Sequence, residues 1–118
     1  MGNAAEELPV YGALPDIFRA AREDNSDMLR AALEAGEALW QIDQITWQTP
    51  LHVAALCGSR RFLKEAIGHP TADFWSTDRD GLRPLDLCWI KNDFETHDLL
   101  QQATYYPGWF LDLPEERR

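Results

Sequence analysis

The sequence predicts an all-α fold made of about three repeated helix–turn–helix units. One observation is the Pro50-Leu51 pair, which recurs as Pro84-Leu85 at an interval of 34 along the chain. Another is that the same shift towards the N-terminus aligns residues of helical character, so that Leu51, Ala54 and Ala55 fall on Ile17, Ala20 and Ala21. A constant interval of this length is typical of repeat proteins, in which each interval forms one supersecondary unit.

Each unit is predicted to contain two short helices that open at capping residues or proline and stop at glycine. The opening signals in chain order are Pro15, Ser26, Thr49 with Pro50, Ser59, Pro84 and either Asn92 or Asp93, and the stops are Gly36 and Gly58. The corresponding spans include about 15–22, 26–35 and 60–67.

None of these helices is long enough to be stable alone, so each pair must bury its apolar face against the next. This is the packing of a solenoid. Small residues are expected where adjacent helices approach closely, at Ala20, Ala21, Ala54, Ala55 and Cys88.

The stretch TPLHVAALCG at residues 49–58 resembles the hallmark of the ankyrin repeat, T-P-L-H-x-A. Residues 72–81 resemble the β-hairpin that joins successive repeats of that family. The resemblance implies an ankyrin-repeat solenoid with short β-hairpin loops and capping ends. The expected divisions are an N-terminal capping segment at 1–13, repeats at about 14–43, 44–77 and 78–103, and an aromatic C-terminal tail at 104–118.

The sequence departs from the family pattern at several positions. Trp47 stands where Gly81 supplies the hairpin glycine of the next repeat, so altered geometry is expected in the first hairpin. Asp86 replaces the hallmark His and Arg83 the hallmark Thr, which suits a terminal repeat. The interval of 34 implies one extra residue in the loop around residues 68–70.

Length and charge limit the classes of function. The chain has 118 residues, a single domain's worth, with 45% hydrophobic and 26% charged residues, which is globular composition. Its net charge of −9 repels nucleic acid and anionic membranes and favours a basic partner surface. No apolar run approaches the roughly 18 residues that a membrane span needs.

Cysteine usage and the N-terminus predict a cytoplasmic protein, expected to be monomeric when free. Cys57 and Cys88 form no CxxC pattern, so a reducing compartment is the default. The N-terminal stretch is acidic and lacks the basic start and apolar stretch of a signal peptide.

The chemically suggestive residues are predicted to be structural. The resemblance implies that His52 braces the backbone between repeats, and the three His lack metal-ligand spacing. Cys88 is expected to pack, and Cys57 to be accessible but unreactive. The Asp78-x-Asp80-Gly81 stretch is only a fragment of a calcium loop. No nucleophile-elbow, phosphate-loop, dinucleotide or zinc-protease motif occurs, so neither an enzyme nor a cofactor is predicted.

The ankyrin resemblance implies that hairpin tips and inner helix faces bind partners. The residues at those positions are Asp43, Ile45, Thr46, Trp47, Gln48, Leu56, Cys57, Trp75, Thr77, Arg79, Asp80, Leu82, Ile90 and Lys91. Trp47 and Trp75 are either exposed anchors or pack within the hairpins, and both alternatives stay open. Trp40 shares a position with Phe74 at the interval of 34, and is therefore expected in the core.

The aromatic tail either folds back over the open end of the third repeat or contributes to a partner-binding surface. For the whole chain we predict a protein–protein interaction module, a small acidic stoichiometric binder or an inhibitor of the immunity-protein type. An adaptor that tethers a client to a larger assembly is the alternative. An enzyme or small-ligand-binding protein with a pocket around His52 or Cys57 is the remote one.

Overall fold

The computed structural model describes residues 16–105. The predicted N-terminal capping segment and nearly all of the aromatic tail lie outside this range. The choice between the two predicted roles of the tail therefore also concerns residues outside it. Within it the chain forms helices and loops without a strand, so the predicted all-α class is confirmed. Among these residues no helix combines the length and the apolarity that a membrane span requires.

Six helices are present between residues 16 and 105, and they form two layers. The inner layer contains α1 (Ile17–Glu23), α3 (Pro50–Cys57) and α5 (Pro84–Ile90), which stack side by side. The outer layer contains α2 (Ser26–Glu34), α4 (Arg60–Ala66) and α6 (Phe94–Tyr105). Each inner helix packs on the outer helix that follows it in the chain.

Most helix starts lie at the predicted residues because a side chain or a proline satisfies the first turn. Thr49 accepts the N–H of His52, and Pro50 occupies the first position of α3, as predicted. Asp93 accepts the N–H of Thr96 at 3.2 Å, which decides between the two predicted starts of α6. The prediction of Ser26 as an N-cap was wrong, because Asn25 caps α2 by accepting the N–H of Met28.

Ser59 precedes α4 as predicted, but its side chain does not cap that helix. Its hydroxyl instead donates to the carbonyl oxygen of Ala21 at 2.5 Å. The side chain therefore links two successive helix pairs, and it is 1% exposed. All of the small residues expected at close helix approaches are fully buried, at Ala20, Ala21, Ala54, Ala55 and Cys88.

The turn between the two helices of a pair repeats with the sequence interval. Asp24, Gly58 and Asn92 follow α1, α3 and α5 at the constant interval of 34. Their φ angles are 54°, 65° and 60°, all in the left-handed region. Glycine reaches that region freely, and Asp and Asn tolerate it better than other residues do. The same backbone turn therefore recurs three times although its residue changes.

The predicted β-hairpins are replaced by tight loops without strands in the described part of the chain. In the first loop (residues 43–48) Asp43 donates its N–H to the carbonyl of Gln48 at 2.9 Å. In the second loop (residues 77–82) Asp78 donates to Leu82 at 2.9 Å. The Asp43 and Asp78 carboxylates accept further backbone N–H groups of their own loops. These donors are thus not free to form a strand ladder.

The prediction that Trp40 lies in the core was wrong, since 61% of it is exposed. Leu39 is fully buried instead, and its N–H donates to the Thr71 hydroxyl at 3.0 Å. The reason is that the interval of 34 does not hold through this part of the chain. The buried Leu39 matches the buried Phe74 at an interval of 35, as Asp43 matches Asp78 in the loops that follow. The glycines after α2 and α4, Gly36 and Gly68, follow each other at an interval of only 32.

Candidate partner-binding surface

The first loop is held rigid by the carboxylate of Asp43. Its Oδ1 accepts the N–H of Ile45 at 2.8 Å and the N–H of Thr46 at 3.1 Å. These hydrogen bonds favour the charged form and lower the pKa of Asp43. The loop thereby presents Ile45, which is 76% exposed, at a fixed position.

Trp47 closes the first loop in a conformation that few bulky residues adopt. Its φ is 65°, and Gly81 at the matching place in the second loop has a φ of 79°. Trp47 thus takes up the left-handed φ of the glycine, but the altered geometry expected in the first loop is present. The N–H of Trp47 donates to the carbonyl of Asp43, four residues back, whereas the N–H of Gly81 donates to that of Asp78, three residues back. A left-handed φ costs a non-glycine residue roughly 1–2 kcal/mol.

The two loops are joined through Arg79. Its N–H donates to the carbonyl of Thr46 at 3.1 Å, and its guanidinium lies 5.4 Å from the centre of the Trp47 ring. Trp47 remains 48% exposed. One portion of the ring packs on Arg79 and the other faces solvent, and its role as a binding anchor stays a prediction.

His52 fastens the second loop to α3. The N–H of Thr49 donates to Nδ1 at 3.1 Å, so the ring hydrogen is on Nε2, which donates to the carbonyl of Leu82 at 2.8 Å. The residue is fully buried, and burial lowers the pKa of His52 below its ordinary value. A neutral ring that uses both nitrogens in this way braces backbone, as the sequence predicts.

The ends of α3 and α5 lie next to each other and complete the surface. The Lys91 ammonium donates to the carbonyl of Leu56. Ile90 is 62% exposed and the thiol of Cys57 is exposed. Cys88 is buried and lies 3.7 Å from the carbonyl of Ala55, and burial raises the pKa of this thiol to about 12.

Trp75 belongs to a second cluster, which sequence reasoning missed. The Arg83 guanidinium lies 5.1 Å from the Trp75 ring centre and donates to the Tyr105 hydroxyl at 2.8 Å. The Trp75 and Tyr105 rings meet edge to face at 5.1 Å. Asp86 pairs with Arg83 at 3.1 Å, and this contact lowers the pKa of the carboxyl. The Arg83–Asp86 spacing was readable in the sequence, whereas nothing there pointed to Tyr105.

An open cleft of about 270 Å³ lies beside the second cluster. Trp75, Phe74 and Ile67 contribute to its apolar wall, and His69 and Thr104 contribute polar atoms. Trp75 is 53% exposed. Like Trp47, it is partly packed against an arginine and partly open to solvent.

The structure buries none of the predicted partner-binding residues. Three are half-buried, namely Gln48, Leu56 and Leu82. The exposed ones are Asp43, Ile45, Thr46, Trp47, Cys57, Trp75, Thr77, Arg79, Asp80, Ile90 and Lys91. Two further exposed apolar residues precede the first loop and were not predicted, Trp40 at 61% and Ile42 at 51%.

The comparisons with known proteins concern the chain as a whole. No protein-family model matches it, and no curated protein gives a significant match.

Proposed function

We propose that this chain is a small ankyrin-repeat protein that binds a partner protein through its two loops and the adjoining ends of α3 and α5. The observation that carries the proposal is Trp47. It is a half-exposed aromatic residue held in a glycine-like backbone conformation at the junction of the two loops.

The recurrence of backbone geometry supports the ankyrin assignment. The left-handed residues after the inner helices recur at intervals of 34, and so do Trp47 and Gly81 in the loops. Asp86 stands at the position of His52 and accepts the N–H of Arg83 at 2.9 Å, as His52 accepts that of Thr49. The cap of the helix therefore keeps its geometry although its residues differ.

The exposed side chains support a binding role for the loops. Ile45, Trp47 and Ile90 are large apolar residues with about half or more of their surface exposed. Binding hot spots are enriched in tryptophan and arginine and are surrounded by polar groups. Arg79 stacks on Trp47, and the exposed carboxylates of Asp43 and Asp80 lie in the same loops.

The strain at Trp47 supports the same reading. Glycine would adopt this φ at no steric cost, as Gly81 does. Unfavourable backbone conformations are retained mainly where they serve binding or catalysis. The side chain of Trp47 therefore has a use that offsets its destabilising backbone, and an exposed ring points to contact with another molecule.

The chemistry of the partner follows from charge. A net charge of −9 accelerates association with a basic surface and opposes association with nucleic acid or anionic lipid. We therefore favour a stoichiometric binder or an inhibitor of the immunity-protein type, cytoplasmic and monomeric when free. Its partner is a protein with a basic surface.

An adaptor is the second candidate, and one observation favours it. The cluster of Trp75, Arg83 and Tyr105 has its own exposed rings and its own cleft, and its contacts differ from those of Trp47 and Arg79. Two such clusters would allow two partners to bind at once. In that case Trp47→Asn and Trp75→Ala would each abolish the binding of a different protein.

The proposal is tested by affinity capture of the tagged full chain from its own cells, with quantitative mass spectrometry. The expected result is one near-stoichiometric basic protein that is lost from the Trp47→Asn and Arg79→Ala variants. Arg61→Ala is the matched control, because Arg61 is an exposed arginine on the outer helix α4. A partner retained by both loop variants would refute the site.

A further inference from the structure

The third helix pair carries an exposed aromatic surface at the place where each of the two earlier pairs is covered by the pair that follows it. At the interval of 34, Trp89 occupies the position that Ala55 and Ala21 hold in the earlier pairs. Both alanines are fully buried, and residues of the following pair contact them. Ser59 donates to the carbonyl of Ala21, and the Cys88 thiol contacts that of Ala55. Trp89 is 62% exposed.

The outer helix shows the same change. His97 stands in register with Leu29 and Leu63, which are both fully buried. The Trp89 ring lies 5.5 Å from the His97 ring and 5.8 Å from that of Phe94, which is 53% exposed. We call Trp89, Phe94 and His97 the terminal face.

Terminal repeats of solenoids normally present a polar outer surface. The terminal face instead continues, in register, the surface through which each earlier pair receives the next. Within residues 16–105 no further helix pair follows it.

Two exposed acidic side chains of α6 are sequence neighbours of the terminal face. Glu95 and Asp98 lie beside Phe94 and His97 in α6, and their side chains are 83% and 79% exposed. A guanidinium nitrogen of Arg60, in α4 of the preceding pair, lies 3.8 Å from the Glu95 carboxylate, whereas the Asp98 carboxylate lies 4.0 Å from the His97 ring. A symmetric second copy would bring these carboxylates together, which is unfavourable. A basic flank on the occupant would instead pair with them.

We propose that the terminal face binds an amphipathic α-helix of a partner protein, apolar on one side and flanked by lysine or arginine. The helix would stack on Trp89 as α5 stacks on α3. This site is independent of the two loops and goes beyond the function proposed above.

The probe for the test is a helical peptide of leucine and lysine, about 18 residues long, with leucine at i, i+3, i+4 and i+7, a spacing that forms one apolar stripe. Its affinity for the full chain is measured by fluorescence anisotropy. A peptide of the same composition with a scrambled order is the control for charge. We expect the patterned peptide to bind at least about tenfold more tightly than the scrambled one.

The variant Trp89→Ser/Phe94→Ser is expected to bind the patterned peptide about tenfold or more weakly than the parent chain does. Trp40→Ser removes an exposed tryptophan that lies outside the terminal face and the two loops, and is expected to leave the affinity within about twofold. Glu95→Gln/Asp98→Asn changes only exposed side chains and therefore keeps the fold. It should weaken binding and reduce its salt dependence.

The proposal would be overturned if the patterned peptide bound the parent chain and the Trp89→Ser/Phe94→Ser variant with equal affinity. It would also be overturned if the patterned and scrambled peptides bound the parent chain equally. A second copy on this face would appear as a concentration-dependent dimer that the double serine variant abolishes. If residues 106–118 occupied this face, the patterned peptide would not bind. Either result would also replace the proposed occupant.

Discussion

Trp47 and Gly81 share one backbone conformation at equivalent places in the two loops, with φ of 65° and 79°. Only one of the two residues adopts it without strain. This relationship separates what the fold requires at the position, a left-handed φ, from what this chain adds, an exposed indole ring. The first two predictions follow from it.

Gly81→Ala is expected to destabilise the protein by roughly 1 kcal/mol in urea unfolding. The added Cβ would meet nothing within 4 Å, so the cost arises from the positive φ alone. Gly81→Asn should cost less, because asparagine tolerates this region. An alanine variant as stable as the parent would show that the φ of this loop is not enforced.

Trp47 and Arg79 should be coupled in stability. Since the guanidinium lies 5.4 Å from the ring centre at an exposed site, a double-mutant cycle with Trp47→Asn and Arg79→Ala should give a coupling of about 0.5–1 kcal/mol. Trp47→Asn alone should be nearly neutral, because relief of backbone strain offsets the lost stacking. Strictly additive variants would mean that the stacking contributes nothing.

Acidification should destabilise the protein through His52. Burial lowers the folded-state pKa of His52, so below the ordinary value of 6.5 the unfolded state binds the proton more readily. The contribution of His52 to the free energy of unfolding is complete above pH 6.5, and it declines as the pH falls towards the folded-state pKa. From pH 8 to pH 5.5 the loss is at most about 1.4 kcal/mol.

The control for the His52 effect is a comparison of the pH dependence of stability between two histidine variants. His52→Asn should lose that part of the pH dependence, whereas His97→Gln, which changes a half-buried histidine of the outer layer, should keep it. Identical pH profiles for His52→Asn and the parent would contradict the assignment of a buried neutral ring.

The two thiols should differ in accessibility to Ellman's reagent. Cys57 is exposed, whereas Cys88 is buried with its pKa raised to about 12. One thiol per chain is expected to react in the native protein, because only Cys57 is accessible, and both are expected to react in urea. Rapid reaction of both in the native state would place α5 differently from this structure.

The helices were predictable from the sequence because their ends are encoded locally. Proline at the first position of α3 and α5, the Thr49 cap and the Gly58 turn act over one turn of chain, and the interval of 34 then aligned the pairs. The Asn25 cap was missed because the neighbouring Ser26 has the same capping chemistry. Local signals of this kind fix an end only to within a residue or two.

The rest depended on contacts between distant residues. Leu39 is buried and Trp40 exposed because the interval of 34 does not hold in the segments that follow α2 and α4. The interval had been measured on helix residues, so it gave no sign of this change. The cluster around Arg83 requires α6 to extend as far as Tyr105, well beyond the reach of local sequence signals. The exposed loop residues were predictable only through the resemblance to ankyrin repeats.

The most direct test of the central claim is the affinity of the captured partner for the full chain and for Trp47→Asn, measured by isothermal titration calorimetry. Trp47→Asn keeps the left-handed backbone and removes the ring, so the account predicts an affinity at least about tenfold weaker, with an unchanged unfolding midpoint. Arg61→Ala should bind as the parent does. An unchanged affinity for Trp47→Asn would contradict the account, because the ring would then have no part in binding.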